Sequence, residues 1–196
     1  MTFEEALKKD CGNKGLSSQQ VRLLGSHYDL LVRWNRTLNL TNVRSLADII
    51  SLHYCECLFL GRILPPGILR IADVGSGAGF PGIPVAVTRP ESKVCLIESH
   101  RRKAVFLRES TRCVHNATVF AGRAEDVPER FDWMVSRAVN PKAMFSLSIA
   151  PQIALLLSYT SLSELPDPIE VIPVPGSRRR IIALFHVEHA KINGRG

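Results

Sequence analysis

The spacing of hydrophobic residues divides the chain into a helical first part and a second part of alternating short elements. Apolar side chains recur every three or four residues over residues 21–38, which predicts an amphipathic helix. Ser17 or Ser18 can cap its start. A second helix is predicted over residues 46–64, because a strong helix break, Pro65-Pro66-Gly67, follows it.

Seven short apolar runs follow this break, and each has the length of one strand. They are residues 69–74, 93–97, 118–121, 131–135, 153–159, 169–174 and 180–187. Alternation of strands with helical stretches predicts a parallel sheet with helices on both faces. The last two runs flank a Pro-Gly-Ser turn and predict an antiparallel pair. We therefore expect an α/β, Rossmann-like fold with a seven-stranded, mostly parallel sheet and an N-terminal helical extension.

The length of 196 residues suits one α/β unit with a full core. We expect residues 1–66 to form a helical region packed on the core, residues 67–190 to form the core, and residues 191–196 to fray. Apolar runs stay well below the 18 residues of a membrane span. The first ten residues are charged and lack the apolar segment of a signal peptide. A cytoplasmic protein is expected.

The five cysteines are odd in number and scattered along the chain, at Cys11, Cys55, Cys57, Cys95 and Cys113. Neither a disulfide framework nor a zinc-binding spacing is evident. We expect reduced cysteines and no metal site. His53, among apolar neighbours in the second helix, is expected to be a core histidine.

A net charge of +7 and an isoelectric point of about 9.5 favour a polyanionic partner, with nucleic acid first. A basic surface that only maintains solubility is the alternative. The densest basic clusters are Arg101, Arg102 and Lys103, and Arg178, Arg179 and Arg180. Phosphate contacts are one interpretation of these clusters, and solvated surface positions are the other.

The first run after the break leads directly into a turn rich in glycine, which lets a ligand approach the backbone. The sixth position of the dinucleotide fingerprint is Phe80 rather than glycine, so an NAD site is disfavoured, and no Gly-Lys-Ser/Thr follows. The remaining spacing, Asp73-x-Gly75-x-Gly77-x-Gly79, resembles the first motif of class I S-adenosylmethionine (AdoMet)-dependent methyltransferases. Asp73 and the loop backbone would serve the methionine end, and the next helix would present free N–H groups. A loop that merely turns the strand is the alternative.

Polar residues close the next three runs, where the carboxyl ends of parallel strands form ligand sites. Glu98 can accept hydrogen bonds from ribose hydroxyls, or can be an exposed strand-end acid. Ala124 and Glu125 can border adenine, although Glu125 can equally cap a helix. Arg137 can meet a ligand, a substrate or a structural carboxylate.

Several motifs together resemble one family, RsmG (also called GidB), the guanine-N7 methyltransferases of small-subunit ribosomal RNA. The matching segments are WNRTLNLT at residues 34–41, DVGSGAGFPGIP at residues 73–84, Glu98-Ser99 with Lys103 and Phe106-Leu107, Arg123-Ala124-Glu125, and Ser136-Arg137-Ala138. They follow in the family's order over about residues 21–140.

The resemblance implies AdoMet contacts at Gly75, Phe80, Ala124, Glu125 and Arg137. It implies a guanine of 16S ribosomal RNA, alone or in the small subunit, as acceptor, and a bacterial cytoplasmic monomer that needs no membrane or metal. Since N7 of guanine carries no proton, we expect no general base, and Arg137 to position the reactants. The alternatives are an RNA-binding protein that retains an AdoMet pocket without activity or with a changed substrate, and a small-molecule methyltransferase.

Three segments depart from the family's pattern. The family's His-x-x-Asp-Ser-Leu is replaced by HYCECL at residues 53–58, and Ala150-Pro151-Gln152 stands near the usual Gly-Gly turn. Tyr159-Thr160 replaces the Lys-Gly that ends the fifth strand. These departures place the expected differences on the substrate side rather than in the cofactor pocket.

Overall fold

Seven strands lie side by side in one sheet, as the alternating runs predict. The structure, a computed structural model, describes residues 1–11, 15–137 and 139–187. The strands are Arg70–Val74 (β1), Lys93–Ile97 (β2), Ala117–Phe120 (β3), Trp133–Ser136 (β4), Gln152–Ser158 (β5), Glu170–Pro173 (β6) and Arg180–His186 (β7). The predicted frayed tail, residues 191–196, lies outside the described residues.

The sheet order is β3-β2-β1-β4-β5-β7-β6, and β7 runs antiparallel to both of its neighbours. β1 to β5 are parallel. The chain therefore reverses its direction of winding between β1 and β4, which is where α/β sheets open a crevice for ligands. Because β7 is antiparallel, its first residue lies at this same edge, with Arg180 opposite Ser158 of β5.

Helices flank the sheet and precede it. They are Phe3–Asp10 (α1), Ser18–Leu38 (α2), Leu46–Ile49 (α3), Glu56–Ile63 (α4), Gly82–Thr88 (α5), Arg101–Ser110 (α6) and Pro141–Phe145 (α7). Ser17 caps α2, since its side chain accepts from the N–H of Gln20 while that side chain accepts from the N–H of Ser17. Asn39 ends the helix in the left-handed conformation.

The predicted helix over residues 46–64 is a continuous run of three segments. α3 passes into a π-helical turn, Ile50–Cys55, which passes into α4. The wider turn leaves His53 and Tyr54 buried against the core. π-helical turns of this kind are frequent at functional sites, and the apolar spacing gave no sign of one.

The helical region shares its core with the sheet. Apolar side chains of α1, α2 and α4 join those on one face of β1 and β2 in a single hydrophobic cluster, while the other face packs mainly against α7 and the loops around it. Arg89, 7% exposed, donates to the carbonyls of Gly61, Leu64, Pro65 and Gly67 and so fixes the connection before β1. A boundary near residue 66 stays a prediction.

The cysteine prediction was wrong for one pair. A disulfide joins Cys11, just after α1, to Cys55 in the π-helical turn, while Cys57, Cys95 and Cys113 are free. The two partners are 44 residues apart in sequence, so only packing of α1 on the π-helical turn brings them together. In the described part of the chain, no helix is long and apolar enough to cross a membrane, and no group of three or more potential ligands surrounds a metal position.

Candidate active site

The glycine loop leaves the carboxyl end of β1 with three residues at positive φ. Gly75, Gly77 and Gly79 have φ values of 71°, 56° and 87°, a region that L-residues enter at a cost. A Cβ on Gly75 would collide with Val139, and one on Gly79 would lie 2.6 Å from Cδ1 of Ile83. A Cβ on Gly77 would meet only the carbonyl oxygen of Gly75, at 3.8 Å. Gly77 is therefore the point of the loop where a ligand can approach the backbone.

Asp73 braces this loop from below. It is fully buried, and its Oδ2 accepts a hydrogen bond of 2.9 Å from the N–H of Gly82, the first residue of α5. The expectation that this helix would present that N–H to a ligand was wrong, because Asp73 occupies it. Burial raises the pKa of Asp73 to about 7, with hydrogen bonds from Ser76 and Gly82 acting in the opposite direction. Its Oδ1 has no partner among the described residues.

Glu98 lies at the carboxyl end of β2 and is 8% exposed, so it is not a free surface acid. Its Oε2 accepts from the N–H of Gly77 at 2.9 Å, and its Oε1 accepts from the N–H of His100 at 2.7 Å. The carboxylate thus joins the glycine loop to the start of α6. Two carboxylate oxygens offer about four acceptor positions, which leaves capacity for a pair of ribose hydroxyls.

Ala124 and Glu125 begin a short 3₁₀ turn, Ala124–Asp126, beyond the end of β3. Ala124 is buried and Glu125 is exposed. The N–H of Gly122 donates to the carbonyl of Glu98, which holds this turn beside the end of β2. The structure therefore brings the third predicted segment to the same edge as the glycine loop and Glu98.

Arg137 follows β4 directly and is half-buried. Its Nη1 is buried without a hydrogen-bond partner in the described part of the chain. Its charge acts on His53, Glu56 and Cys57, since it lowers the pKa of each. Arg137 thus faces the second helix of the N-terminal region across the mouth of the sheet. Ala138, the last residue of that motif, lies outside the described residues.

Phe80 closes the far side of the loop and faces the helical region. Its ring lies 4.9 to 5.2 Å from the rings of His27, His53 and Tyr54 and is 7% exposed. The side chain is therefore a packing contact between the loop and the helices. A contact with AdoMet at this residue stays a prediction.

Sequence reasoning missed the polar contacts that connect these helices to the loop. His27 of α2 contacts the carbonyl of Ala78 at 2.9 Å and the hydroxyl of Tyr54 at 2.8 Å. Burial lowers the pKa of both His27 and His53 from 6.5 to about 4. His53 lies 2.8 Å from the hydroxyl of Thr41, inside the motif at residues 34–41. That motif was the only available signal, and it indicated no partners.

The predicted basic clusters take different positions. Arg101 and Arg102 are exposed at the start of α6, next to Glu98, and Lys103 is half-buried. Arg178 and Arg179 are exposed before β7. The side chain of Arg180 is 24% exposed and pairs with Glu56, so the expectation that it joins a free basic surface needs correction.

A surface cavity of about 1130 Å³ lies at the opposite edge of the sheet. Its lining includes Arg70 and Lys93, the first residues of β1 and β2, and Asn116 before β3. The glycine loop, Glu98 and Arg137 take no part in it. The chemical groups, rather than the volume of this cavity, mark the candidate active site.

Comparison with known proteins assigns the family. The model of the family described as rRNA small subunit methyltransferase G, GidB, matches residues 20–153. The chain belongs to this family. GidB relatives include the ribosomal RNA small subunit methyltransferase G of Xanthomonas euvesicatoria pv. vesicatoria, 39% identical over 142 residues. The match covers 70% of this chain and 66% of the relative.

A second GidB relative, from Nitrosospira multiformis, is 44% identical over 133 residues, which cover 65% of this chain and 60% of the relative. The chain thus spans less than two thirds of the length of these relatives. Solved structures share the fold. A SAM dependent methyltransferase from Aquifex aeolicus has a TM-score of 0.53 at 14% identity, over 70% of this chain and 91% of that one. A ribosomal protein L11 methylase from Lactobacillus delbrueckii subsp. bulgaricus has a TM-score of 0.51 at 15% identity, over 67% and 77%.

Proposed function

We propose that this protein transfers a methyl group from AdoMet to N7 of a guanine in small-subunit (16S) ribosomal RNA. Family membership and the description rRNA small subunit methyltransferase G support the acceptor. One observation carries the cofactor assignment: the N–H of Gly77, at the open point of the glycine loop, donates to the buried carboxylate of Glu98. Backbone and carboxylate thus meet at the carboxyl edge, where a nucleoside with an amino acid tail fits.

The residues present fit AdoMet in their chemistry. Glu98 would hold the ribose, Ala124 and Glu125 would border the adenine, and the loop around Gly77 would hold the methionine portion. The unpartnered Nη1 of Arg137 would gain an acceptor at the border between cofactor and base. When bound, AdoMet supplies an electrophilic methyl group on a sulfonium.

The protein's contribution to the reaction is positioning. N7 of guanine has a free lone pair and no proton, so no side chain has to remove one. Holding two reactants in line is worth roughly 7–11 kcal/mol in favourable cases, and fixed charges such as that of Arg137 add electrostatic stabilisation. We therefore assign Arg137 a positioning role and expect no acid–base residue.

The RNA would be held by phosphate contacts around the mouth of the site. Arg101, Arg102 and Lys103 at the start of α6 adjoin Glu98, while Arg178 and Arg179 lie before β7 at the same edge. Such contacts position a nucleic acid without reading its sequence. The target guanine has to be accessible, which favours a loop or bulge over a duplex. We infer that the protein acts in the cytoplasm as a monomer.

The experiment that tests this function is transfer of labelled methyl groups to 16S RNA, and to small subunits, that lack N7-methylguanine. Label recovered as N7-methylguanine would establish reaction and acceptor together. Binding of AdoMet without transfer to either substrate would favour an RNA-binding protein or a changed target. Transfer to a small molecule that is insensitive to salt would contradict the proposal.

A further inference from the structure

An ion pair joins the helical region to the far end of the sheet. Nε of Arg180 lies 3.3 Å from Oε2 of Glu56, and its Nη2 donates to the carbonyl of Leu156 in β5. Glu56, the first residue of α4, is 3% exposed, so this carboxylate has little contact with water. Removing such a charge from water is costly unless it is well paired. The pair therefore calls for an explanation beyond surface solubility.

Arg137 shares the same carboxylate. Burial raises the pKa of Glu56, and the charges of Arg180 and then Arg137 act against that rise. Arg137 acts in the same way on Cys57, the next residue along α4. Glu56 thus lies between two guanidiniums, and only that of Arg180 is fixed by a hydrogen bond among the described residues. The Nη1 of Arg137 remains buried without a partner there.

The position of this cluster in the sheet separates it from the cofactor pocket. Glu98 ends β2 and the Ala124 turn follows β3, on one side of the switch point between β1 and β4. Arg137 follows β4, and Arg180 begins β7 on the other side. The ribose and adenine positions therefore lie on the β2–β3 side, and the cluster borders the space left for the acceptor base.

We propose that Glu56 is a positioning residue for the acceptor side of the site, held by Arg180 and in turn orienting the guanidinium of Arg137. This inference rests on the proposed function for the identity of the acceptor. Two of its members come from segments that depart from the family's pattern: Glu56 stands where the family has aspartate, and Arg180 lies beyond the matched residues 20–153. The longer glutamate side chain reaches the Arg180 side chain at 3.3 Å.

The test compares Glu56→Gln, Glu56→Asp and the double variant Glu56→Gln with Arg180→Gln. Single variants leave one guanidinium without its counter-charge, so their melting temperatures should fall. The double variant removes both charges, and its melting temperature should return close to that of the wild type. Its kcat should stay at least tenfold low, with KM for AdoMet within about threefold, because Arg137 no longer has its orienting carboxylate.

A purely structural pair would give a different result. If kcat of the double variant recovered together with its melting temperature, the proposal would be wrong. It would also be wrong if KM for AdoMet rose tenfold while kcat at saturation recovered, since the pair would then serve the cofactor. The matched control is Arg70→Gln with Glu129→Gln, an exposed ion pair of 2.8 Å at the opposite edge, which should leave kcat unchanged.

A second readout does not depend on activity. Nitrogen-15 NMR of arginine side chains can detect the guanidinium of Arg137, assigned by its loss in Arg137→Lys. Its Nη signals should be separate in the wild type, because the group is held, and should merge in the double variant. Identical signals in both proteins would overturn the role of Glu56. If the wild type transfers no methyl group to RNA, the proposed function fails while this spectrum still decides the inference.

Discussion

Nε2 of His27 lies 2.9 Å from the carbonyl oxygen of Ala78, in the middle of the glycine loop. Because a carbonyl only accepts, His27 carries its proton on Nε2, and its Nδ1 accepts from the hydroxyl of Tyr54 at 2.8 Å. A neutral imidazole satisfies both contacts, in agreement with a pKa lowered to about 4 by burial. The helical region thus supports the shape of the candidate cofactor loop through one buried side chain.

Replacing His27 by leucine should destabilise the protein and weaken the loop. Leucine fills the space but leaves the Ala78 carbonyl and the Tyr54 hydroxyl unpaired, at about 1–3 kcal/mol for each buried group. Urea denaturation measures the loss, and calorimetry with AdoMet should show weaker binding. His115→Gln, at an exposed position, is the control and should change neither quantity. Unchanged stability of the leucine variant would contradict the assigned contacts.

Acid should remove the stability that neutral His27 contributes. The folded pKa of about 4 lies below the ordinary 6.5, so the unfolded chain binds the proton first. This contribution is complete above about pH 6.5 and is lost as the pH falls towards 4; the difference in pKa corresponds to about 3 kcal/mol. The gap in unfolding free energy between wild type and His27→Leu should therefore shrink over this range. Asp73, with its raised pKa, acts in the opposite direction, but both proteins contain it. A gap that stays constant with pH would rule out this titration.

Much of the fold could be predicted because its signals are local. The runs at β2 and β7 and the cap at Ser17 each follow from neighbouring residues, and the structure confirms them. The π-helical turn could not be predicted, since apolar spacing barely distinguishes it from an α-helix. The Cys11–Cys55 disulfide depends on packing between elements that are distant in sequence.

The candidate site divides in the same way. Glycine spacing and strand ends locate Gly77, Glu98 and Arg137, because parallel strands bring their carboxyl ends to one edge. Partners that come from another region, such as Ala78 for His27 or Glu56 for Arg180, leave no local pattern. An arginine cluster read from sequence therefore combined two exposed residues with one that is paired inside the fold.

Glycine loop variants should separate strain from ligand contact. Gly77→Ala and Gly176→Ala both place a side chain at positive φ with open space around it, so each should cost roughly 1–2 kcal/mol. Only Gly77→Ala should also weaken AdoMet binding, by tenfold or more in calorimetry. Gly79→Ala should be the least stable, because its Cβ would meet both Ile83 and His27. Equal AdoMet affinity in the Gly77 and Gly176 variants would argue against a ligand at Gly77.

Arg101 and Arg102 should contribute charge-dependent affinity for RNA. Replacing both with glutamine should weaken binding of 16S RNA and reduce the slope of log K against log salt by about 1 for each phosphate that is no longer neutralised. Lys93→Gln is the control, since this exposed lysine begins β2 at the opposite edge. Filter binding at several salt concentrations measures the slopes. A slope that the double variant shares with the wild type would exclude phosphate contacts at these residues.

Reduction of the Cys11–Cys55 disulfide should lower stability while leaving the site formed. Opening a loop of this length costs about 2–4 kcal/mol, yet Phe3, Ala6 and Leu7 keep α1 buried against the core. Wild type in a thiol reductant should therefore melt like Cys11→Ser and bind AdoMet within about threefold of the oxidised protein. Cys113→Ser, at an exposed free thiol, should not change the response to reductant. Thiol titration of the unfolded oxidised protein should find the three free cysteines, Cys57, Cys95 and Cys113; five thiols would show that the pair is not joined. Since disulfides are rare in the cytosol, the reduced form is the one in which methyl transfer to ribosomal RNA should be measured.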